Sequence, residues 1–254
     1  MPDPLYNSSY HADQVKRPEQ LQSMRNKHQL MAMAAVLLLS STVSQGGEKS
    51  RLVSNLEAGK KQTVVTYGTS LTAGGAWVGQ VSAELNRRYP GLATVVNSGQ
   101  GAMWSKWGVD NLDARVIGKQ PDTVFVEFSI NDAYLPYNTS VEQARSNLET
   151  MVDRIVATNK SCEIILMVMN PPTGVHLDRR PKVEFYNQMY RDVATQRHLT
   201  LIDHYPNWQQ ILKADPKRFS EYVPDGIHPN AEGCKAVITP RIISALGMGA
   251  EPAH

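Results

Sequence analysis

Short runs of β-branched and apolar residues alternate along this chain with stretches in which apolar residues recur every three to four positions. TVVTY (63–67) predicts a buried strand, and AWVGQVSAELNRRY (76–89) follows with helical periodicity until Pro90-Gly91 ends it. TVVN (94–97) predicts a second strand and residues 108–118 a helix. TVFVEFS (123–129) is a third strand, apolar enough along its length for burial on both faces. Ser140 stands at the N-cap of a long helix whose apolar face carries Val141, Leu148, Met151, Val152 and Ile155. EIILMVM (163–169) is a fourth strand, stopped by Asn170-Pro171-Pro172. A helix over 183–196 leads to a fifth strand, LTLID (199–203). A last helix covers about 229–246, with Pro229 in its first turn and Pro240 inside it as a point of kinking or division.

Five strands, each followed by a helical segment, predict an α/β fold: a parallel sheet with right-handed crossovers and helices on both faces. In such a sheet the site lies beyond the carboxyl ends of the strands. The residues in the turns after each strand therefore matter most.

The first 49 residues break the alternation. A polar stretch with Lys16, Arg17, Arg25 and Lys27 precedes LMAMAAVLLL (30–39) and the small polar run SSTVSQGG. A basic segment, about ten apolar residues and a small-residue exit describe a secretory signal peptide, over about residues 24–44 with Thr42-Val43-Ser44 as a cleavage site. The apolar run is short of the roughly 20 residues that span a bilayer. The competing reading is a buried or membrane-surface helix. The expectation is a signal peptide and flexible segment over 1–49, a catalytic domain over 50–254, and a secreted or periplasmic product with no stable membrane insertion after cleavage.

With 254 residues, 41% hydrophobic and 20% charged, the chain has an ordinary globular balance, which excludes a disordered or polytopic membrane protein. Lys plus Arg number 26 against 24 Asp plus Glu, and no basic cluster concentrates the net +2, so no nucleic-acid partner is expected. Cys162 and Cys234 are too few for a disulfide framework or a Cys-rich zinc site. His176, His198 and His204 lack metal-ligand spacing and read as surface or capping residues. Asn7 and Asn138 each begin a glycosylation triplet, a pattern frequent by chance.

Four short motifs carry the candidate chemistry. YGTSLTAGG places Ser70 in a Gly-rich turn after the first strand; NSGQGAMWS (97–105) follows the second; SINDA puts Asn131 at the exit of the third; PDGIHPN sets Asp225 three residues before His228. A serine hydroxyl needs a base to become a nucleophile, and His228 can serve if Asp225 holds its ring in one tautomer. The oxyanion then needs donors, available from the Ser70 N–H, a backbone N–H of the Gly101-Ala102 turn and the Asn131 amide. Taken singly, Ser70 reads as a helix N-cap, Asn131-Asp132 as a turn and Asp225-Gly226 as a turn pair. Their joint order, each at a strand end or before the last helix, points to catalysis instead.

On these motifs the chain, over roughly residues 60–247, resembles the SGNH/GDSL family of esterases and acylhydrolases. Gly68-Thr69-Ser70-Leu71 is similar to that family's G-D-S-L, Ser129-Ile130-Asn131-Asp132 to its G-x-N-D, and Asp225-Gly226-Ile227-His228-Pro229 to its D-x-x-H-P. The resemblance implies a three-layer α/β/α, flavodoxin-like sandwich (the SGNH hydrolase fold), a carboxylic ester hydrolase that works without a cofactor, Ser70 as nucleophile, Asp225 and His228 as its partners, and Asn131 as an oxyanion donor. Thr69 departs from the family's Asp and Ser129 from its Gly. Ala102 stands where relatives usually carry the oxyanion glycine, which leaves Gly101 and Ala102 as alternative donors. The ordinary elbow G-x-S-x-G is absent, because Thr72 occupies its second glycine.

The expected rim carries Trp104, Trp107, Tyr134, Tyr137, Tyr222 and, less directly, Trp208. Flat rings with polar tips suit the C–H faces of sugars, so Trp104 and Tyr134 are expected to bind a carbohydrate ester, with acetyl as the acyl group. The competing reading for Trp104 and Trp107 is packing against the sheet. An O-acyltransferase with the same triad, a non-catalytic carbohydrate-binding domain and a nucleotide binder are the rival functions. The last is disfavoured by the absence of a phosphate loop after the first strand.

Overall fold

A computed structural model of the chain describes residues 49–249. The signal-peptide expectation falls outside them. In chain order the elements are α1 (Arg51–Glu57), β1 (Gln62–Gly68), α2 (Ser70–Ala73), α3 (Ala76–Arg88), β2 (Ala93–Asn97), α4 (Ser105–Arg115), β3 (Thr123–Glu127), α5 (Ser129–Asp132), α6 (Val141–Thr158), β4 (Glu163–Val168), α7 (Val175–Asp178), α8 (Val183–Arg197), β5 (Thr200–Asp203), α9 (Tyr205–Ala214), α10 (Pro216–Tyr222), α11 (Ala231–Gly233) and α12 (Thr239–Ala245).

All five predicted strands form, and they pair in parallel in the order β2-β1-β3-β4-β5. The chain moves outward from β1 to β2 and then crosses back to β3. With right-handed crossovers, that reversal puts α3 on one face of the sheet and α4, α6 and α8 on the other. The packing agrees: α4, α6 and α8 pack against one another in series, and α3 packs against the C-terminal helix. The sheet is thus the middle of three layers. Its central strands are fully buried, as Val64, Val65, Tyr67, Val124, Phe125, Val126 and Ile165 show. Burying each such side chain contributes roughly 1.5–3 kcal/mol. The reversal also opens a crevice beyond the carboxyl ends of β1 and β3.

The structure departs from expectation at several points. β3 ends at Glu127 rather than at 129, and Ser129–Asp132 coil into a single helical turn. α4 begins at Ser105, not 108, because the Ser105 N–H donates to Asp132 Oδ1 at 2.9 Å, a cap supplied from 27 residues away. Two unpredicted helices, α9 and α10, occupy 205–222; Asp215 caps the second by accepting the Arg218 N–H at 3.0 Å. The last helical span does not end at Pro240 but is divided just ahead of it into α11 and α12. Pro240 lacks the N–H an α-helix requires and its ring crowds the carbonyl four residues back. The chain takes a wider π turn over Cys234–Ile238 immediately ahead and continues into α12. Among the described residues no helix is long and apolar enough to cross a membrane.

Candidate active site

Ser70 owes its position to the residues on either side. β1 ends at Gly68, where a Cβ would lie 2.5 Å from both the Glu127 carbonyl oxygen and Thr72 Oγ1, so only glycine permits this approach of β1 to β3. Thr69 then caps α2, its Oγ1 accepting the Leu71 N–H at 3.2 Å. The N-cap reading therefore belongs to Thr69, and Ser70 is the first residue inside the helix, where a backbone N–H has no helical partner. Beneath the turn, fully buried Glu127 accepts on Oε2 from the Thr69 N–H (3.1 Å), the Thr69 hydroxyl (2.9 Å) and the Thr72 hydroxyl (3.2 Å). Burial pushes this carboxyl up to about 8 despite those donors.

Asp225 and His228 sit on a turn held from β4's exit. Gly226 has φ +86°, and a Cβ there would meet Thr173 Oγ1 at 2.8 Å. The Thr173 N–H donates to the Gly226 carbonyl at 2.8 Å, and buried Asn170 donates from Nδ2 to the Ile227 carbonyl at 3.0 Å. Asp225 Oδ1 accepts the N–H groups of Ile227 (3.0 Å) and His228 (2.7 Å), which leaves Oδ2 facing His228 Nδ1 at 2.6 Å. His228 Nε2 lies 2.8 Å from Ser70 Oγ. An ionised Asp225 only accepts, so Nδ1 carries the proton and Nε2 is free to take one from Ser70. Partial burial pushes the Asp225 carboxyl up, but the His228 N–H, its ring and the Ile227 N–H outweigh this and hold it down at about 2.

Gly101 lies against the serine: a Cβ built on it would be 4.0 Å from Ser70 Cβ. With Ser70, Leu71, His228, Pro229 and Ile238 it lines a mostly apolar cavity of about 300 Å³. Ala102 has φ 57°. That left-handed conformation suits glycine, and an alanine there costs about 1–2 kcal/mol. The backbone N–H groups of Ser70, Gly101 and Ala102 make no hydrogen bond among the described residues. Buried Asn131 reaches the same loop, donating from Nδ2 to the Met103 carbonyl at 2.9 Å while its Oδ1 accepts from Arg180 Nη2 at 3.0 Å.

Arg180 was not legible as a site residue. It is only 7% exposed, donates from Nε to the Ile130 carbonyl at 2.9 Å and lies 4.7 Å over the Tyr134 ring. Asn170 was read only as part of a strand stop, yet it braces the loop that carries His228. Neither lies in a motif or a periodic pattern.

Trp104 stacks on Tyr137 at 4.3 Å and 19°, Tyr137 meets Tyr134 edge-on at 5.1 Å, and the Tyr137 hydroxyl donates to the Ala102 carbonyl. The predicted substrate residues Trp104 and Tyr134 thus belong to one half-buried ladder beside Asn131. Three expected rim residues are elsewhere. Trp107 packs on Tyr67 at 5.8 Å under Arg115, Trp208 is fully buried, and Tyr222 packs on Trp208 at 6.3 Å. α9 and α10 draw the last two inward. A groove of about 460 Å³ runs past Tyr134, lined also by Leu135, Ser140, Lys182 and Phe185.

His204 is not a surface residue: it is fully buried, with both ring nitrogens lacking a hydrogen bond, and burial pulls it down to about 3. His198 does cap α8, in the left-handed conformation. Cys162 and Cys234 are buried free thiols. Among the described residues no group of three or more His, Cys, Asp or Glu could hold a metal ion.

The profile of the GDSL-like lipase/acylhydrolase family matches residues 65–236. Among curated proteins none matches the chain. Solved structures with a similar fold include a variant of an acetyl xylan esterase from Geobacillus stearothermophilus, at TM-score 0.65 and 20% identity over 76% of this chain and 98% of that one. A lipase/acylhydrolase from Enterococcus faecalis gives TM-score 0.62 and 23% identity over 76% and 99%. An α/β hydrolase enzyme from the metagenome of Lake Arreo, Spain, gives 0.63 and 23% over 74% and 96%. At these identities the likeness is one of fold.

Proposed function

The chain belongs to the GDSL-like lipase/acylhydrolase family and is a carboxylic ester hydrolase; from that premise we propose that it is a secreted serine esterase that removes acetyl groups from carbohydrate through an acyl-enzyme on Ser70. The observation that carries the catalytic assignment is the unbroken relay from Ser70 Oγ through His228 to Asp225, at 2.8 and 2.6 Å.

Ser70 Oγ attacks the ester carbonyl carbon while its proton passes to His228 Nε2, and ionised Asp225 stabilises the imidazolium. The negative charge that develops on the carbonyl oxygen is met by the Ser70 N–H, the N–H of Gly101 or Ala102, and the remaining Nδ2 hydrogen of Asn131. Collapse breaks the ester C–O bond, and His228 protonates the departing alcohol. Water then attacks the acyl-Ser70 carbonyl with His228 again as base, releasing the acid and restoring the serine.

The carbohydrate assignment draws on the Trp104–Tyr137–Tyr134 ladder, whose flat faces suit sugar rings. Secretion draws on the sequence pattern of residues 24–44. A fluorophosphonate probe tests the mechanism: one adduct is expected, on the peptide that holds Ser70, and none in Ser70→Ala. Labelling that persists in the Ser70→Ala variant rejects the assignment.

A further inference from the structure

We propose that Arg180 is a positioning residue of the oxyanion site, locking the Asn131 amide in one orientation and holding a positive charge behind it. The inference rests on the oxyanion role proposed above for Asn131.

An asparagine amide has two nearly isosteric orientations, and only one aims N–H groups at an anion. Here both ends are assigned by their neighbours. Arg180 Nη2 can only donate, so the group facing it at 3.0 Å must be Oδ1. The Met103 carbonyl can only accept, so the group facing it at 2.9 Å must be Nδ2. Reversal would set donor against donor and acceptor against acceptor at once. In the observed orientation one Nδ2 hydrogen is spent on Met103 and the other has no acceptor among the described residues. It is the hydrogen a substrate oxyanion would take.

The guanidinium adds a second effect. Its partners are the Ile130 carbonyl at 2.9 Å, the His176 carbonyl at 3.5 Å, the Asn131 amide oxygen and the face of Tyr134; among the described residues no carboxylate pairs with it. A buried cation is normally costly without a counter-ion. Here each guanidinium nitrogen meets one neutral acceptor, while the charge is left uncancelled. That charge draws electron density toward Oδ1 and makes the Nδ2 hydrogens stronger donors, an effect amplified where water is excluded. Lysine cannot reproduce it, because the fork addresses Ile130 and Asn131 through two nitrogens of one plane.

The test compares Arg180→Met, Arg180→Lys, Asn131→Ala and the double variant Arg180→Met/Asn131→Ala on a soluble aryl acetate, with melting temperature measured alongside. Arg180→Met should lower kcat by about 10–100-fold with KM within about twofold, because the contact strengthens only as oxyanion charge develops. In the Asn131→Ala background the same change should cost less than about twofold, since it acts through Asn131. Methylguanidinium added to Arg180→Ala should restore activity several-fold, and should restore none in Asn131→Ala. Full kcat in Arg180→Lys, independent multiplicative losses in the double variant, or a change confined to KM would each overturn the inference. If Arg180→Met does not fold, the Arg180→Lys kcat and the methylguanidinium response decide it. Unchanged kcat in Asn131→Ala would overturn the oxyanion reading and this inference with it, whereas wild-type kcat in Arg180→Met beside a crippled Asn131→Ala overturns the inference alone.

Discussion

The Thr69 hydroxyl donates to Glu127 Oε2 at 2.9 Å, from the exit of β1 to the exit of β3. This pair accounts for one departure from the family pattern. An aspartate at 69 could also cap α2, but its carboxylate would then lie against the Glu127 carboxyl, in a site that already resists one charge. Threonine caps the turn and donates to the glutamate with the same oxygen. The carboxyl missing beside Ser70 is thus present one strand away.

That buried acid predicts how stability follows pH. Glu127 is raised from 4.5 to about 8 in the folded chain, so its contribution is complete below pH 4.5 and is lost as pH climbs to about 8. Asp132, raised by burial from 3.8 to about 7, acts in the same sense. His204, depressed by burial from 6.5 to about 3, acts in the opposite sense: its contribution is complete above 6.5 and is lost as pH falls toward 3. The melting temperature should therefore peak at about pH 4–4.5 and decline on both sides. Glu127→Gln keeps an acceptor for both threonines and should flatten the alkaline limb. A melting temperature that rises steadily from pH 5 to 9 would contradict the assignment.

Ala102 predicts a stabilising substitution. It holds φ 57° beside the candidate oxyanion site, and its carbonyl is fixed by Tyr137. Glycine relieves the Cβ clash, offset in part by greater freedom of the unfolded chain. Ala102→Gly should raise stability by about 0.5–1 kcal/mol, read as a melting shift of roughly 1–4 °C in a domain of this size. A drop of comparable size would show that the methyl group packs favourably.

Trp104 carries the prediction about substrate. Its stack on Tyr137 gives a platform next to the loop of Gly101 and Ala102. Trp104→Ala should raise KM for acetylated oligosaccharides by about tenfold, the worth of one aromatic contact of ~1.4 kcal/mol, and leave a small aryl acetate within about twofold. Acetyl esters should also turn over faster than octanoyl esters in the wild type. Equal losses on both acetates, or faster turnover of the octanoyl ester, would reject the carbohydrate reading.

What could be read in the sequence divides by range. β1 to β5 were legible within two residues, because a buried strand imposes its apolar run locally. Asp225 and His228 were legible because they share one turn, and Ser70 because its glycines and strand are adjacent to it. Arg180 was not, since its partners Ile130 and Asn131 lie 50 and 49 residues away and no local pattern requires a cation there. The start of α4 was missed for the same reason: its cap is a side chain from another strand's exit. Trp208 and Tyr222 looked like rim residues because two amphipathic helices around them went unassigned.

The π turn ahead of Pro240 ties the length of the chain to the shape of the cavity beside Ser70. A π turn takes up one residue more than an α-helical turn, so it sets the phase of everything after it. Wound in ordinary α geometry instead, the same residues would carry the remainder of the helix round by about 100°. Ile242 and Leu246, both fully buried, would swing off the core, and the wall that Ile238 gives the cavity would be lost in the same step. This stretch can exchange side chains, but its wider turn answers two separate demands, one of folding and one of shape around Ser70.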